Sequence, residues 1–281
     1  MFETKIRKYI NYLGDAEYMA DVVTSPGAVD SMIKFLQSND REIINDTCFF
    51  IRDFVLSCSQ NHTCRQSWES QLKSAIIPEI ENLLFADNHF IRKDAVYTLG
   101  KICSYDSIPV MLNAFYQLRD RDPLLLPRLI GELFWLGINN PWDIIDSMAV
   151  SDRYTTRWAV VDVLGKFGCN SPNDEDFLRA HKLCDRLRRD AHRLVREEAE
   201  YNYQYLELQR RKHQENMSKA EYRQQRKELK KISTFLPFGN IISQFGHYMY
   251  EHNLHTYTIE ELETFIKKIK NSLRLSELGQ N

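Results

Sequence analysis

Apolar residues recur at three- and four-residue spacing through most of this chain, which is the spacing of one face of an α-helix. The stretch IIPEIENLLFAD at residues 76–87 carries such a face before Asp87, and DNHFIRKDAVYTLGKIC at residues 87–103 carries another after it. Acidic and polar residues fill the remaining positions. The pattern therefore predicts two amphipathic helices joined by a tight turn at Asp87.

This helix–turn–helix unit recurs along the chain, with a polar residue, usually arginine, about one helical turn after each anchoring aspartate. The equivalent pairs are Asp40 with Asn45, Asp87 with Arg92, Asp122 with Arg128, Asp152 with Arg157, and Asp190 with Arg196. The second and fourth copies both end in a Leu-Gly pair, at Gly100 and Gly165. In the third copy the arginine comes one place late, beside Pro123, where a turn can absorb an extra residue.

Each polar residue of the unit has an expected structural role. An aspartate in the turn accepts the free amide hydrogens of the second helix and suits the positive end of its dipole. The arginine reaches an aspartate of its own or of a neighbouring unit, and the glycine ends or loosens the second helix. Because an active site occurs once and these residues occur in every unit, we interpret them as structural repeat joints and not as catalytic groups.

The stretches DNHFIRKDAVYTLGKI and DRYTTRWAVVDVLGKF resemble the second helix of HEAT repeats, with its Asp, aliphatic–Arg pair, Ala and Leu-Gly. Thr156 stands where the family has an aliphatic residue. The resemblance covers residues 30–205 and implies an all-α class, an α-α superhelix of about five HEAT-like hairpins with helical caps at both ends. It also implies that the second helices line the concave face of a right-handed stack.

The two ends differ from the repeats. The predicted regions are an N-terminal helical cap at 1–30, HEAT-like repeats at 31–205, a basic helical extension or hairpin at 206–232 and an aromatic-rich C-terminal helical cap at 233–281. Residues 182–231 carry fifteen Lys+Arg against nine Asp+Glu, and SKAE at 218–221 is a capping box that predicts a new helix. The C-terminal region either covers an end of the stack or docks a partner through its aromatic residues.

Composition narrows the class of protein. The chain has 281 residues, 43% hydrophobic and 27% charged, which suits a packed core, while ten glycines and eight prolines are too few for a many-stranded β protein. The N-terminal stretch lacks the apolar segment of a signal peptide, and no apolar run reaches the length of a membrane span. The six cysteines are scattered through helical patterns, so we expect reduced thiols and a cytoplasmic location.

Candidate chemistry is sparse. Cys58, His62 and Cys64 are the best metal candidates, but a zinc site needs four ligands and no fourth lies nearby in sequence. A second set contains His247, His252 and His255 at spacings that suit no regular site. No nucleotide-binding or nucleophile motif occurs. We therefore expect no catalytic residue, no metal and no cofactor.

The leading functional hypothesis is a non-enzymatic scaffold or adaptor that binds another protein along its second helices. Positions six, ten and fourteen after the aspartate form one stripe of each second helix, and in the two best repeats these protein-binding candidates are Lys93, Tyr97, Lys101, Trp158, Asp162 and Lys166. A mixture of charged and aromatic side chains is typical of binding surfaces. The alternative is that this stripe is an ordinary solvated helix face without a binding role.

Two other functions stay open. Some HEAT-like proteins attach a bilin to a light-harvesting protein as lyases or chaperones, which the resemblance alone suggests. Nucleic-acid binding is the other, but residues 1–181 carry 18 basic against 25 acidic side chains, which opposes phosphate binding by most of the repeats. Only the basic arm at 182–231 could serve, and no membrane partner is expected.

Overall fold

The computed structural model describes residue 6 and residues 16–58, 65–66, 68–138, 141–166, 174–232 and 236–278. Every regular element within these ranges is a helix, so the predicted all-α class is confirmed. No helix in the described ranges combines the length and the hydrophobicity that crossing a lipid bilayer requires.

The helices alternate in the order that the repeated pattern predicts. In chain order they are α1 (Ala16–Thr24), α2 (Ala28–Leu36), α3 (Arg41–Cys58), α4 (Lys73–Leu83), α5 (His89–Lys101), α6 (Ile108–Leu118), α7 (Leu126–Trp135), α8 (Pro141–Ala149), α9 (Tyr154–Lys166), α10 (Glu175–Leu187), α11 (Arg193–Gln214), α12 (Lys219–Ile232), α13 (Phe238–Glu251) and α14 (Ile259–Leu278). A π-helical turn precedes α4 and a 3₁₀ turn precedes α6. The five repeated hairpins pair α2 with α3, α4 with α5, α6 with α7, α8 with α9, and α10 with α11.

The chain divides into two compact units. Unit 1 contains Met1–Gln117 and Arg128–Asn139, and unit 2 contains Leu118–Pro127 and Asn140–Asn281. Helices α1 to α5, with most of α6 and α7, therefore belong to unit 1, and α8 to α14 belong to unit 2. The last repeat continues into the basic region without a break, because α11 runs through residue 205.

The repeat arginines fasten the turns that precede their own helices. Arg92 donates from Nη1 to the carbonyl oxygens of Ala86 and Asp87, at 2.6 and 2.7 Å. Arg157 and Arg196 donate in the same way to the turns before α9 and α11. Since these carbonyls precede the helix, the guanidinium satisfies acceptors that the helix itself leaves open.

Arg157 also joins two repeats within unit 2. Its Nε and Nη2 lie 2.6 and 2.9 Å from the two carboxylate oxygens of Asp190. Both side chains are largely buried, with 15% and 7% exposed. The predicted bond between an arginine and a neighbouring aspartate is confirmed at this joint.

The predicted capping role holds for only some of the aspartates. Asp40 accepts from the amide of Glu42 at 2.8 Å, at the start of α3. In α5 the prediction is wrong for Asp87, because the neighbouring Asn88 accepts from the amide of Phe90 instead. Asp122 is buried and accepts a hydrogen bond at 2.7 Å from the Tyr257 hydroxyl of the C-terminal region.

Gly100 lies one residue before the end of α5 at Lys101, so the helix end predicted there is confirmed to within one residue, and Gly165 is likewise the last residue but one of α9 as the structure describes it. A Cβ atom on Gly100 would lie 2.8 Å from Cβ of Glu132 on α7, and one on Gly165 would lie 2.8 Å from Oδ1 of Asn202 on α11. Asn202 donates to the Val161 carbonyl at 2.8 Å. The glycines therefore permit the next second helix to approach closely.

Substituting alanine at Gly100 is expected to destabilise unit 1 by about 1–3 kcal/mol, because the Glu132 side chain and backbone must shift. Gly131 is the matched control, since nothing lies within 4 Å of its Cβ position and its helix is regular. The G131A variant is expected to gain about 0.4–1 kcal/mol. Urea unfolding of both variants measures the difference, and equal effects would contradict the close-approach role.

The C-terminal helices α13 and α14 pack in unit 2 on the side that the second helices α9 and α11 form. The rings of Trp158 and Phe238 meet at 5.0 Å between centroids, and both side chains are buried. The amide of Phe238 donates to Oε2 of Glu198 on α11 at 2.8 Å. Burial raises the pKa of Glu198 to about 8, although the Phe238 amide acts in the opposite direction.

Candidate partner-binding surface

Six side chains from α3, α5 and α7 form a connected group in unit 1, which we call the cation–aromatic cluster. Its members are Phe49, Arg52, Tyr97, Lys101, Arg128 and Trp135. Tyr97 is central, because the guanidinium carbons of Arg52 and Arg128 lie 4.9 and 4.7 Å from its ring centre. Nζ of Lys101 lies 5.4 Å from the same ring and 6.0 Å from that of Trp135.

The position of Arg52 is fixed by the pairing of α3 with α5. Its Nη1 donates to Oγ1 of Thr98 at 2.9 Å, and the Thr98 hydroxyl donates in turn to the Asp94 carbonyl at 2.7 Å. The Phe49 ring lies 5.6 Å from the Arg52 guanidinium carbon on the same helix. The guanidinium is therefore held in place by groups that carry no negative charge.

Arg52 is a buried charge that has no carboxylate partner among the described residues. Only 7% of the residue is exposed, and it forms no ion pair with any residue that the structure describes. Aromatic faces and one hydroxyl compensate only part of the free energy that burial of a guanidinium requires. An anionic group placed beside Arg52 would therefore be bound with a favourable electrostatic energy.

Arg128 does not serve as a structural joint, so that prediction is wrong. Its side chain is 46% exposed, forms an ion pair with Glu132 at 3.1 Å and lies over Tyr97. The difference lies in the start of the helix: Arg128 is the third residue of α7, whereas Arg92, Arg157 and Arg196 are each the fourth residue of their helices. One position on a helix corresponds to a rotation of about 100°, enough to turn a side chain from the turn to the surface.

The cluster is open to solvent at its edges. Trp135 is 69% exposed and Leu56, one turn beyond Arg52 on α3, is 52% exposed. Lys93, one turn before Tyr97 on α5, is also exposed. Exposed tryptophan beside arginine is the composition that carries most of the binding energy in protein interfaces.

The two halves of the predicted stripe belong to different units, and the surroundings of each half differ. Tyr97 and Lys101 belong to the cation–aromatic cluster, and Lys93 lies beside it. The prediction that Trp158 is a surface residue is wrong, because the side chain is fully buried beneath Phe238. Asp162 and Lys166 form an ion pair with each other at 3.3 Å, and Gly239 of α13 lies close to Asp162.

Four members of the cluster escaped the sequence-based prediction. Phe49, Arg52 and Trp135 lie outside the chosen stripe, and Arg128 was assigned to the repeat joints. The distance of Arg128 from Asp122 was not a signal, because Arg196 stands at the same distance from Asp190 and does contact its turn. The burial of Arg52 without a carboxylate partner in the described ranges had no sequence signal.

The described residues offer little chemistry. His62, Cys64 and the Cys58 side chain lie outside them, and His247 lies 3.1 Å from a Glu251 oxygen on the same helix. Among the residues described, no three His, Cys, Asp or Glu side chains are grouped as metal ligands. Burial raises the pKa of the Cys48 thiol to about 12, which keeps it protonated and a poor nucleophile.

No protein-family model matches the chain, and no curated protein matches it. Among solved structures it is similar to an engineered protein, with 12% identity, a TM-score of 0.36 and coverage of 74% of this chain and 97% of the other. A second engineered protein has 14% identity, a TM-score of 0.37 and coverage of 69% and 86%. A designed armadillo repeat protein has 15% identity, a TM-score of 0.35 and coverage of 73% and 92%. These likenesses concern the fold alone.

Proposed function

We propose that the chain is a HEAT-type repeat protein that acts in the cytoplasm as a non-enzymatic scaffold or adaptor. In this proposal the cation–aromatic cluster of unit 1 binds an acidic segment of another protein. The observation that carries the proposal is Arg52, a buried guanidinium whose partners among the described residues are all uncharged. A carboxylate from a partner supplies the missing counter-charge.

The other members of the cluster give the partner its expected chemistry. Lys101 and Arg128 add positive charge at the edge, and Glu132 is already paired with Arg128. Tyr97 and Trp135 supply flat apolar surface beside these cations. The segment that fits best therefore carries carboxylates alternating with apolar or aromatic residues.

Affinity capture from the native host with the immobilised full chain identifies the partner, and titration of that partner against variants tests the site. Trp135→Ala is expected to weaken binding by about 2 kcal/mol, roughly thirtyfold, as for a central interface residue. Tyr116→Ala is the matched control, since this unit 1 tyrosine is 54% exposed and lies outside the cluster. Its affinity is expected to equal that of the unchanged chain.

Charge and stability are tested separately. The double variant Lys101→Glu/Arg128→Glu is expected to abolish binding. The control Lys34→Glu/Lys73→Glu makes the same charge change on the first helices of two repeats, α2 and α4, and is expected to leave binding intact. Arg52→Met is expected to weaken binding without lowering the free energy of unfolding, because it removes an uncompensated buried charge. A partner that binds all these variants equally well would refute the proposed surface.

A further inference from the structure

A strongly basic face lies on α12 in unit 2 and shares no residue with the cation–aromatic cluster. Its five exposed cationic side chains are Lys219, Arg223, Arg226, Lys227 and Lys230. At about 100° of rotation per residue they fall within a sector of roughly 100°, spread over roughly 16 Å of the helix axis. We call this set the α12 basic face.

The other sides of α12 are already occupied. Leu229 is buried, and the Tyr222 hydroxyl accepts from Nε2 of Gln209 on α11 at 2.7 Å. The two glutamates of α12, Glu221 and Glu228, accept hydrogen bonds from glutamines of the same helix. None of the five cations forms an ion pair with a residue in the described ranges, so their charge is available to a ligand.

Two tyrosines of α11 lie beside the α12 basic face. The rings of Tyr201 and Tyr205 are nearly parallel, at 5° and 6.4 Å between centroids, and both residues are half-buried. The guanidinium carbon of Arg226 lies 5.5 Å from the Tyr205 ring centre. Aromatic planes next to a row of cations form the combination that binds the bases and phosphates of single strands.

We propose that the α12 basic face binds single-stranded nucleic acid, with phosphates along the five cations and bases against Tyr201 and Tyr205. A lipid surface is a poorer match, because interfacial helices present an apolar side and α12 uses its own against α11. An acidic protein segment would leave the tyrosine rings without a role. A polymer of regularly spaced anions with flat bases satisfies both observations.

The test is fluorescence anisotropy of a labelled oligouridylate of twenty nucleotides with the full chain, at several salt concentrations. Affinity is expected to fall steeply with salt, since each phosphate contact releases counterions. The triple variant R223Q/K227Q/K230Q is expected to weaken binding roughly tenfold or more at low salt and to reduce the slope of log affinity against log salt by about 2. Circular dichroism verifies that the variant keeps its helices.

The matched control is K182Q/R186Q/R189Q, which removes the same charge from exposed positions of α10 and of the turn that follows it. Equal losses in the two triple variants would overturn the assignment to α12, as would no binding by the unchanged chain. Y205L is expected to weaken binding of the single strand at least threefold and to weaken binding of a duplex of the same length much less. The single-strand assignment would be overturned if the single strand and the duplex bound with equal affinity and Y205L had no effect. A preference of the chain for poly-glutamate or for anionic vesicles would overturn it as well.

Discussion

Replacing Arg157 by methionine is expected to destabilise unit 2 by about 3–5 kcal/mol, because it leaves the Asp190 carboxylate largely buried without its counter-charge. The guanidinium makes two bonds to that carboxylate and two more to the turn before α9, so one substitution opens two joints. Urea-induced unfolding followed by far-ultraviolet circular dichroism measures the effect. A loss below 1 kcal/mol would show that the pair contributes little.

Arg196 provides the matched control for Arg157 within the same unit. It donates to the carbonyl oxygens of Asp190 and Ala191 but to no carboxylate among the described residues. Arg196→Met is therefore expected to destabilise by only about 1–2 kcal/mol. Adding Asp190→Asn to Arg157→Met is expected to recover part of the loss, since the unpaired buried charge is removed.

The Arg157–Asp190 pair also predicts a direction for acid sensitivity. Burial raises the pKa of Asp190, but hydrogen bonds from Arg157 and from the His192 amide outweigh it and hold the pKa below its usual value. The stabilisation is therefore fully present above the ordinary aspartate pKa and is lost as pH falls through the lowered value. Arg157→Met is expected to remove that part of the acid-induced loss.

Trp158→Ala is expected to destabilise unit 2 by about 3–5 kcal/mol, because it opens a cavity beneath the C-terminal helices. The side chain is fully buried and meets the Phe238 ring at the start of α13. Hydrogen exchange of α13 amides is expected to accelerate more than exchange in the helices of unit 1. Unchanged protection of α13 would show that this contact does not hold the C-terminal helices.

Two further variants define what Trp158 contributes. Phe238→Ala removes the other ring, and a double-mutant cycle with Trp158→Ala is expected to give a coupling of about 0.5–1.5 kcal/mol for the aromatic pair. Trp135→Ala makes the same chemical change at an exposed position of unit 1 and is expected to alter stability by less than about 0.5 kcal/mol. A tryptophan that stabilises the fold and one available to a partner are thus distinguished by the same substitution.

Local patterns predicted the helical hairpins well, because apolar spacing and capping residues act within a few positions. SKAE is an example, since Ser218 accepts from the Glu221 amide at the start of α12. Thr156, which departs from the HEAT pattern, is explained only by the fold. Its hydroxyl oxygen lies 2.8 Å from the Arg119 carbonyl and 3.0 Å from the Asp120 carboxylate, both distant in sequence.

The candidate site was predicted in part, because exposure depends on contacts that local sequence does not encode. Tyr97 and Trp158 were assigned to the same stripe of the second helices. Tyr97 remains half-exposed in the cation–aromatic cluster, whereas Trp158 is covered by Phe238, which lies eighty positions later in the chain. The close approach that the Leu-Gly glycines permit was missed for the same reason. Their neighbours, Glu132 and Asn202, come from the following repeat.

The position of Arg128 within its helix has a consequence for how new recognition sites can arise in repeat proteins. An alignment that allows one gap would match Arg128 with Arg92 and assign both the same role, although Arg128 contacts Glu132 and Tyr97. A change of one position between an arginine and the start of its helix can thus release the side chain from the framework without changing its type. For protein engineers, the point at which a helix starts becomes a means of placing arginines on a repeat surface while the helices keep their sequence.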